Sequence, residues 1–180
     1  VTEVDQAVEE AIIEVLSEAY PDHAFLGEEL GERLPDADKV GKEGIEYQWV
    51  IDPLDGTTNF IHGFPHYAVS IAALQRGQPV HAVIFDPSNN EIFAASRGSG
   101  AFLDDRRIRV STQRRYHDAL IAAHVTGSSG AITTTSPFTA LLTECAAVRR
   151  TGSAVLDLAY VACGRLDGFC AVSLKPWDMA

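Results

Sequence analysis

The stretch Trp49-Val50-Ile51-Asp52-Pro53-Leu54-Asp55-Gly56-Thr57-Thr58-Asn59-Phe60 constrains this chain more than any other. Trp49 to Ile51 reads as the end of a buried strand, which stops at two carboxylates with a proline between them. Pro53 fixes its own φ and pushes Asp52 toward an extended conformation, so the chain leaves the strand in a stiff turn. Gly56 permits close backbone approach, and Thr57-Thr58-Asn59 offer hydroxyls, an amide and free N–H groups where a helix can begin. Two readings fit these residues: an Asp-Pro turn with ordinary helix capping, or a cation site set beside a cradle for a phosphate.

The rest of the chain sets the context. Its 180 residues are 46% hydrophobic with a net charge of −11, which describes a globular protein with a real core and not a disordered one. No apolar run approaches the roughly 18 residues of a membrane span. The acidic balance argues against direct DNA binding and general nucleic-acid affinity, and for a soluble cytoplasmic protein. Cys145, Cys163 and Cys170 have neither C-x-x-C spacing nor an even count, and read as reduced core thiols.

Apolar residues recur with helical period from Thr2 to Ala19, and Thr2 with Asp5 forms a capping box in which Asp replaces the usual Glu. Asp5 is thus either a first-turn carboxylate favouring the helix dipole or a functional group. Ala24 to Gly27 reads as a strand ending at Glu28-Glu29, repeating the strand-then-acid pattern of Asp52; in open α/β sheets ligands gather beyond such strand ends. Residues 31–46 read as a charged surface loop. Tyr67–Leu74, Val80–Phe85 and Glu91–Ser96, separated by turns at 76–79 and 86–90, form an antiparallel meander.

A further hairpin runs through Ala101–Leu103 to Ile108–Val110. Five of the fourteen basic residues fall between Arg106 and Arg115, which fits an exposed hairpin face or a patch for RNA or an acidic partner. Ala119–Ala123 is a short strand, followed by a Thr/Ser-rich run at 126–136 that reads as a loop at a site or a linker. Pro137–Ala147 reads as a helix. Ser153 is an N-cap for a helix over 154–163 that is apolar all round, with Gly164 as its stop. Asp167–Val172 is the last strand. No linker divides the chain.

Glu28, Asp52, Asp55 and Asp178 each follow an apolar segment. Four acids without cysteine or histidine make a hard-cation oxygen site, suited to Mg²⁺ or Mn²⁺ and not to Zn²⁺. His62 and His66 lie in a Gly/Pro turn; their spacing would suit a metal only on a helix, which Gly63 and Pro65 argue against, so they read as structural or peripheral.

Taken together, Gly27-Glu28-Glu29, Asp52-Pro53-Leu54-Asp55-Gly56-Thr57-Thr58-Asn59 and Trp177-Asp178 resemble the three signature motifs of the inositol monophosphatase family, in order and over the whole chain. Thr2-x-x-Asp5 and Gly152-Ser153-Ala154 fit it too, and the Arg-Arg-Thr-Gly-Ser run is most similar to the bacterial extragenic-suppressor type of inositol-1-monophosphatase. The resemblance implies an α/β chain of layered α/β/α/β/α architecture and one catalytic domain over residues 1–180. It also implies a lithium-sensitive, Mg²⁺-dependent phosphomonoesterase with two or three ions (Mn²⁺ as the substitute), usually a homodimer. Glu28, Asp52, Asp55, Asp178 and the Leu54 carbonyl would hold the metal. Asp5, Thr57 and Glu28 would handle the attacking water. Leu54, Asp55, Gly56, Thr57, Gly152, Ser153, Ala154 and Asp178 would meet the substrate.

Relatives of the extragenic-suppressor type also contact the transcription machinery in antitermination, which implies a non-catalytic regulatory role as the alternative function. Two departures stand out. The family's inositol-type members carry a glutamate seven residues before the Trp-Asp aspartate; here it is Ala171, and no glutamate lies between Asp167 and Asp178. Losing one charge-assisted hydrogen bond weakens binding by about 1.5–3 kcal/mol, so another phosphorylated polyol or sugar, fructose 1,6-bisphosphate or adenosine 3′,5′-bisphosphate joins inositol 1-phosphate among the expected substrates. The chain also reads as a version of the fold lacking N-terminal and C-terminal portions. Taken as an entire molecule it would have exposed sheet edges, a poorly supported Asp178 and little activity.

Overall fold

A computed structural model of the chain describes residues 2–41, 44–125 and 143–180. The first element is helix α1 (Glu3–Ala19), started by the expected capping box: the Asp5 N–H bonds the Thr2 hydroxyl and the Asp5 carboxylate accepts from the Thr2 N–H at 2.7 Å. Strands β1 (Ala24–Gly27), β2 (Gly31–Arg33) and β3 (Tyr47–Asp55) follow, then the short helix α2 (Thr57–Ile61). The meander is β4 (Ala68–Gln75), β5 (Gln78–Asp86), β6 (Glu91–Ser96), β7 (Gly100–Leu103) and β8 (Arg106–Arg107). A 3₁₀ turn (Tyr116–Asp118) leads to β9 (Leu120–Val125); β10 (Ala147–Arg149), α3 (Ala154–Ala162), β11 (Gly168–Val172) and α4 (Pro176–Met179) complete the described elements.

Two sheets result. The larger runs β2-β1-β3-β4-β5-β6-β7-β8 and is antiparallel except where β1 lies parallel to β3; the smaller, β10-β9-β11, is parallel throughout. The one parallel pair of the larger sheet positions the acids. Because β1 and β3 point the same way, Gly27 pairs with Ile51, and Glu28 just after β1 emerges beside Asp52 within β3.

The strands alternate their side chains between two faces. Ile51 and Ile71 pack with Ile13 and Phe25 beneath α1, whereas Ala68 and Ile84 pack with Val155, Leu156 and Tyr160 of α3. Ile71 sits opposite Val83, and its neighbour Ser70 opposite Ile84, so the two helices lie on opposite faces of the larger sheet. Helix α3 also touches β11, which places it between the two sheets. The described residues therefore supply helix, sheet, helix and sheet in succession, the layered α/β architecture expected.

Several local expectations are corrected. Strand β3 does not stop before Asp52: it runs through Pro53 to Asp55, with a register shift between Asp52 and Asp55 that takes the proline, which has no N–H, out of the ladder. The supposed loop at 31–46 begins with strand β2, whose polar Gly31-Glu32-Arg33 pairs on the outer edge of β1. The turn between β4 and β5 uses only Arg76 and Gly77, both at positive φ as a tight hairpin requires. The return strand of the last hairpin is Arg106–Arg107 and not Ile108–Val110. Ala147 belongs to strand β10 rather than to a helix; most of that expected helix and the Thr/Ser-rich run lie outside the described residues.

Helix α3 is buried along its first half but is not purely apolar, since Asp157 is fully buried within it. The three cysteines are half-buried thiols and not core residues. His62 is exposed and His66 is half-buried, its ring edge-on to Tyr160 at 5.8 Å.

Candidate metal centre

The site forms where β1 and β3 end and where the segments flanking the smaller sheet return to them. Asp52 and Asp55 are 2% and 8% exposed on the final turn of β3, and Asp178 is half-buried in α4. Carboxylate oxygens of these three aspartates lie within 4.8 Å of one another. They line a cavity of about 530 Å³ together with Glu28, Leu54, Gly56 and Thr57. Glu28 stands outside the tight trio but shares a side-chain hydrogen bond with Asp52.

Each acid is held from behind. Asp52 Oδ1 accepts the Leu54 N–H at 3.1 Å, closing the turn around Pro53. Asp55 Oδ2 takes both the Ser153 hydroxyl at 2.6 Å and the Val155 N–H at 2.7 Å, at the start of α3. Asp178 Oδ2 accepts the Lys175 N–H at 2.7 Å within its own turn. Gly56 has φ of +95°, and a Cβ there would meet the His66 carbonyl oxygen at 3.0 Å. Glycine is required at that position on both counts.

Asp5 and Thr57 are brought together beside the cavity. Asp5 is fully buried on α1, and the Thr57 hydroxyl lies 3.3 Å from Asp5 Oδ1 and 3.1 Å from the Leu54 carbonyl oxygen. Thr57 can donate to one of these acceptors at a time and present its lone pairs to the cavity. Gly56, Thr57 and Thr58 occupy the cap and first two positions of α2, where the N–H groups have no carbonyl four residues back.

The electrostatics are those of too many acids and too few bases. Burial pushes the Asp52 carboxyl far above the ordinary carboxylate range, with repulsion from Asp55, Glu28 and Asp178 adding to it. Glu28 is raised mainly by burial, in part offset by its bond to Asp52. Asp55 is raised to about 6, again by burial first, while Ser153, the Val155 N–H and His124 hold it down. A group of oxygen ligands that cannot all keep their charge is a fitting seat for a hard divalent cation, which would supply the missing positive charge.

The residues expected to meet the substrate stand differently toward the cavity. Of the Gly152-Ser153-Ala154 run only Gly152 lines the cavity; Ser153 and Ala154 are fully buried, and the Ser153 hydroxyl is committed to Asp55. Ala171 lies in β11 beside His124 of β9. His124, Ser173, Leu174 and Lys175 line the cavity unforeseen. His124 repeats the signal of an apolar strand ending in a polar group, so the pattern that marked Glu28 and Asp52 also covers it. Ser173 has φ of +64°, a left-handed turn with no sequence signature at a serine.

Comparison with known proteins agrees with this geometry. The model of the inositol monophosphatase family matches residues 1–180. The chain is 48% identical over 184 residues to the Nus factor SuhB of Pseudomonas aeruginosa, covering 100% of this chain and 66% of that protein. The crystal structure of the extragenic suppressor protein suhB from Bartonella henselae superposes with a TM-score of 0.91 at 44% identity, over 100% of this chain and 67% of that one. The inositol monophosphatase from Anabaena gives a TM-score of 0.86 at 38% identity, over 97% and 68%. The chain thus spans about two thirds of the length of these relatives. It belongs to the inositol monophosphatase family.

Proposed function

We propose that the protein containing this chain is a Mg²⁺-dependent phosphomonoesterase, acting on inositol 1-phosphate or a related polyol or sugar phosphate. The observation that carries this reading is the trio of aspartate oxygens within 4.8 Å on the wall of a cavity shared with the first turn of α2. Asp52, Asp55, Asp178, Glu28 and the Leu54 carbonyl would hold the cations, with Mn²⁺ able to replace Mg²⁺. A divalent cation bound there supplies an acidified water and positive charge against the phosphoryl group.

The chain's own groups do the rest. The N–H groups of Gly56 and Thr57 bind phosphate oxygens that the acids alone would repel. Thr57 accepts a hydrogen bond from the attacking water while donating to Asp5, which orients the water and gives its proton a path to a buried carboxylate. Glu28, on the same cavity wall, helps to place the attacking water. Gly152 leaves room for the ester at the cavity wall. Ala171 cannot supply the charged hydrogen bond of an inositol-specific glutamate, so ring hydroxyls are read less strictly.

The test is Mg²⁺-dependent phosphate release by the full-length protein from inositol 1-phosphate, sugar phosphates, fructose 1,6-bisphosphate and adenosine 3′,5′-bisphosphate, with lithium as inhibitor. Asp55→Asn should lower the rate by about two orders of magnitude or more, since it removes ligand charge worth several kcal/mol. Full activity in that variant would overturn the metal assignment.

The name Nus factor, carried by the Pseudomonas relative, favours a second role: contact with the transcription machinery. Pull-down of transcription factors by wild-type protein and by Asp55→Asn separates the two roles. Equal capture with lost catalysis supports both, and no capture by either removes the second.

A further inference from the structure

Glu9 has no place in the chemistry above, yet it is a fully buried carboxylate on α1. A charge is kept in such a position only when its oxygens are bonded, and both are. Oε2 accepts the Glu29 N–H at 2.9 Å and Oε1 the Leu30 N–H at 3.0 Å. The preceding Glu28 N–H donates to the Ile51 carbonyl of β3 at 3.2 Å. Three consecutive backbone N–H groups are therefore fixed, two by one side chain and one by the neighbouring strand.

Gly27 makes the arrangement possible. A Cβ at that residue would stand 1.8 Å from Glu9 Oε1 and 2.3 Å from Glu9 Cδ. Its φ is not left-handed, so the glycine serves space and not backbone conformation. Asp5, one helical turn earlier and on the same face, accepts from the Thr57 hydroxyl at 3.3 Å just after β3. Helix α1 thus carries one buried carboxylate for each of the two acid-bearing strand ends.

We propose that Glu9 is a positioning residue for the metal centre: by gripping the 28–30 turn it sets where the Glu28 carboxylate stands in the cavity. The inference rests on the reading of Glu28 as a cation ligand. Outer groups that orient a ligand typically govern metal affinity ten- to hundred-fold, and Glu9 belongs to that class through the backbone and not through the ligand's own side chain.

The test measures Mn²⁺ binding to the full-length protein by electron paramagnetic resonance, beside thermal melting in EDTA. Glu9→Gln keeps the volume but turns one acceptor into a donor that faces an N–H. Its Mn²⁺ affinity should fall at least ten-fold, and its Mg²⁺ activation midpoint should rise in parallel, with most of kcat recovered at saturating Mg²⁺. In a Glu28→Gln background the same substitution should change Mn²⁺ affinity less than three-fold, because the two act in series.

Wild-type affinity in Glu9→Gln with only a lower melting temperature would overturn the inference, as would full multiplication of the two effects. Absence of Mn²⁺ binding by the wild type would instead sink the metal reading itself. If Glu9→Gln does not fold, Glu9→Asp, which keeps the charge but reaches one bond shorter, is judged by the same affinities.

Discussion

A buried carboxylate either finds donors or gives up its charge, and Asp55 and Asp157 show the two outcomes. Asp55 has two strong donors on Oδ2 and rises only to about 6. Asp157 has the Thr151 hydroxyl on Oδ1 at 2.9 Å, but its Oδ2 has no partner among the described residues, and burial pushes it to about 7. Between its ordinary value of 3.8 and about 7 the native state keeps a proton that the unfolded chain releases. Native stability from this group is therefore full at low pH and is lost as pH rises through about 7. Asp157→Asn should match wild type near pH 4 and exceed it near pH 8 in urea midpoint, measured in EDTA; a constant difference across that range would refute the sign. The metal-site acids make a related prediction. Because Asp52 and Glu28 are also held above their ordinary range, Mg²⁺ binding near neutral pH should release protons and tighten as pH rises. Calorimetry in buffers of different ionisation enthalpy reads this directly, and buffer-independent heats would count against it.

At the scale of elements, α1 and the parallel pair β1/β3 form one unit in which Gly27 is the tightest point. Gly27→Ala should lower the melting temperature by several degrees, as overpacking costs about 1–3 kcal/mol; an unchanged melt would show that Glu9 can move aside freely. At the other end of the unit, Thr2→Ala removes the cap and frees Asp5, costing about 1 kcal/mol in chemical denaturation. These elements were legible in the sequence where punctuation was strong. The capping box, the strand-to-acid transitions and the Ser153 N-cap all place a distinctive residue where an apolar run changes period. Strand β2 was not legible, since Gly31-Glu32-Arg33 is polar and pairs only because β1 offers it an edge. The continuation of β3 through Pro53 was hidden because a register shift, and no sequence signal, absorbs the missing N–H. Helix α4 is too short for periodicity. Glu9 carries no sequence signal of its own, since only the folded chain brings the 28–30 turn against it.

At the scale of the molecule, the centre closes a gap between parts that are distant in sequence: Asp55 meets Ser153 and Val155 across separations of 98 and 100 residues. Cation binding should therefore stabilise the whole native state, by about 2.7 kcal/mol at a hundred-fold excess over Kd, or roughly 5–10 °C in melting temperature for a chain of this size. Melts in Mg²⁺ and in EDTA that coincide would contradict it.

The same joint has a kinetic meaning. Local hairpins of the β4–β8 meander can form early, whereas joining the end of β3 to α3 requires closing a very long loop before any contact rewards it. Interactions made across that joint belong to the last step of folding. Mg²⁺ should then slow unfolding while leaving the refolding rate nearly unchanged, a difference that stopped-flow denaturant jumps with and without the cation would resolve. In this molecule the bound ion would act less as a seed for the fold than as a latch that keeps it shut.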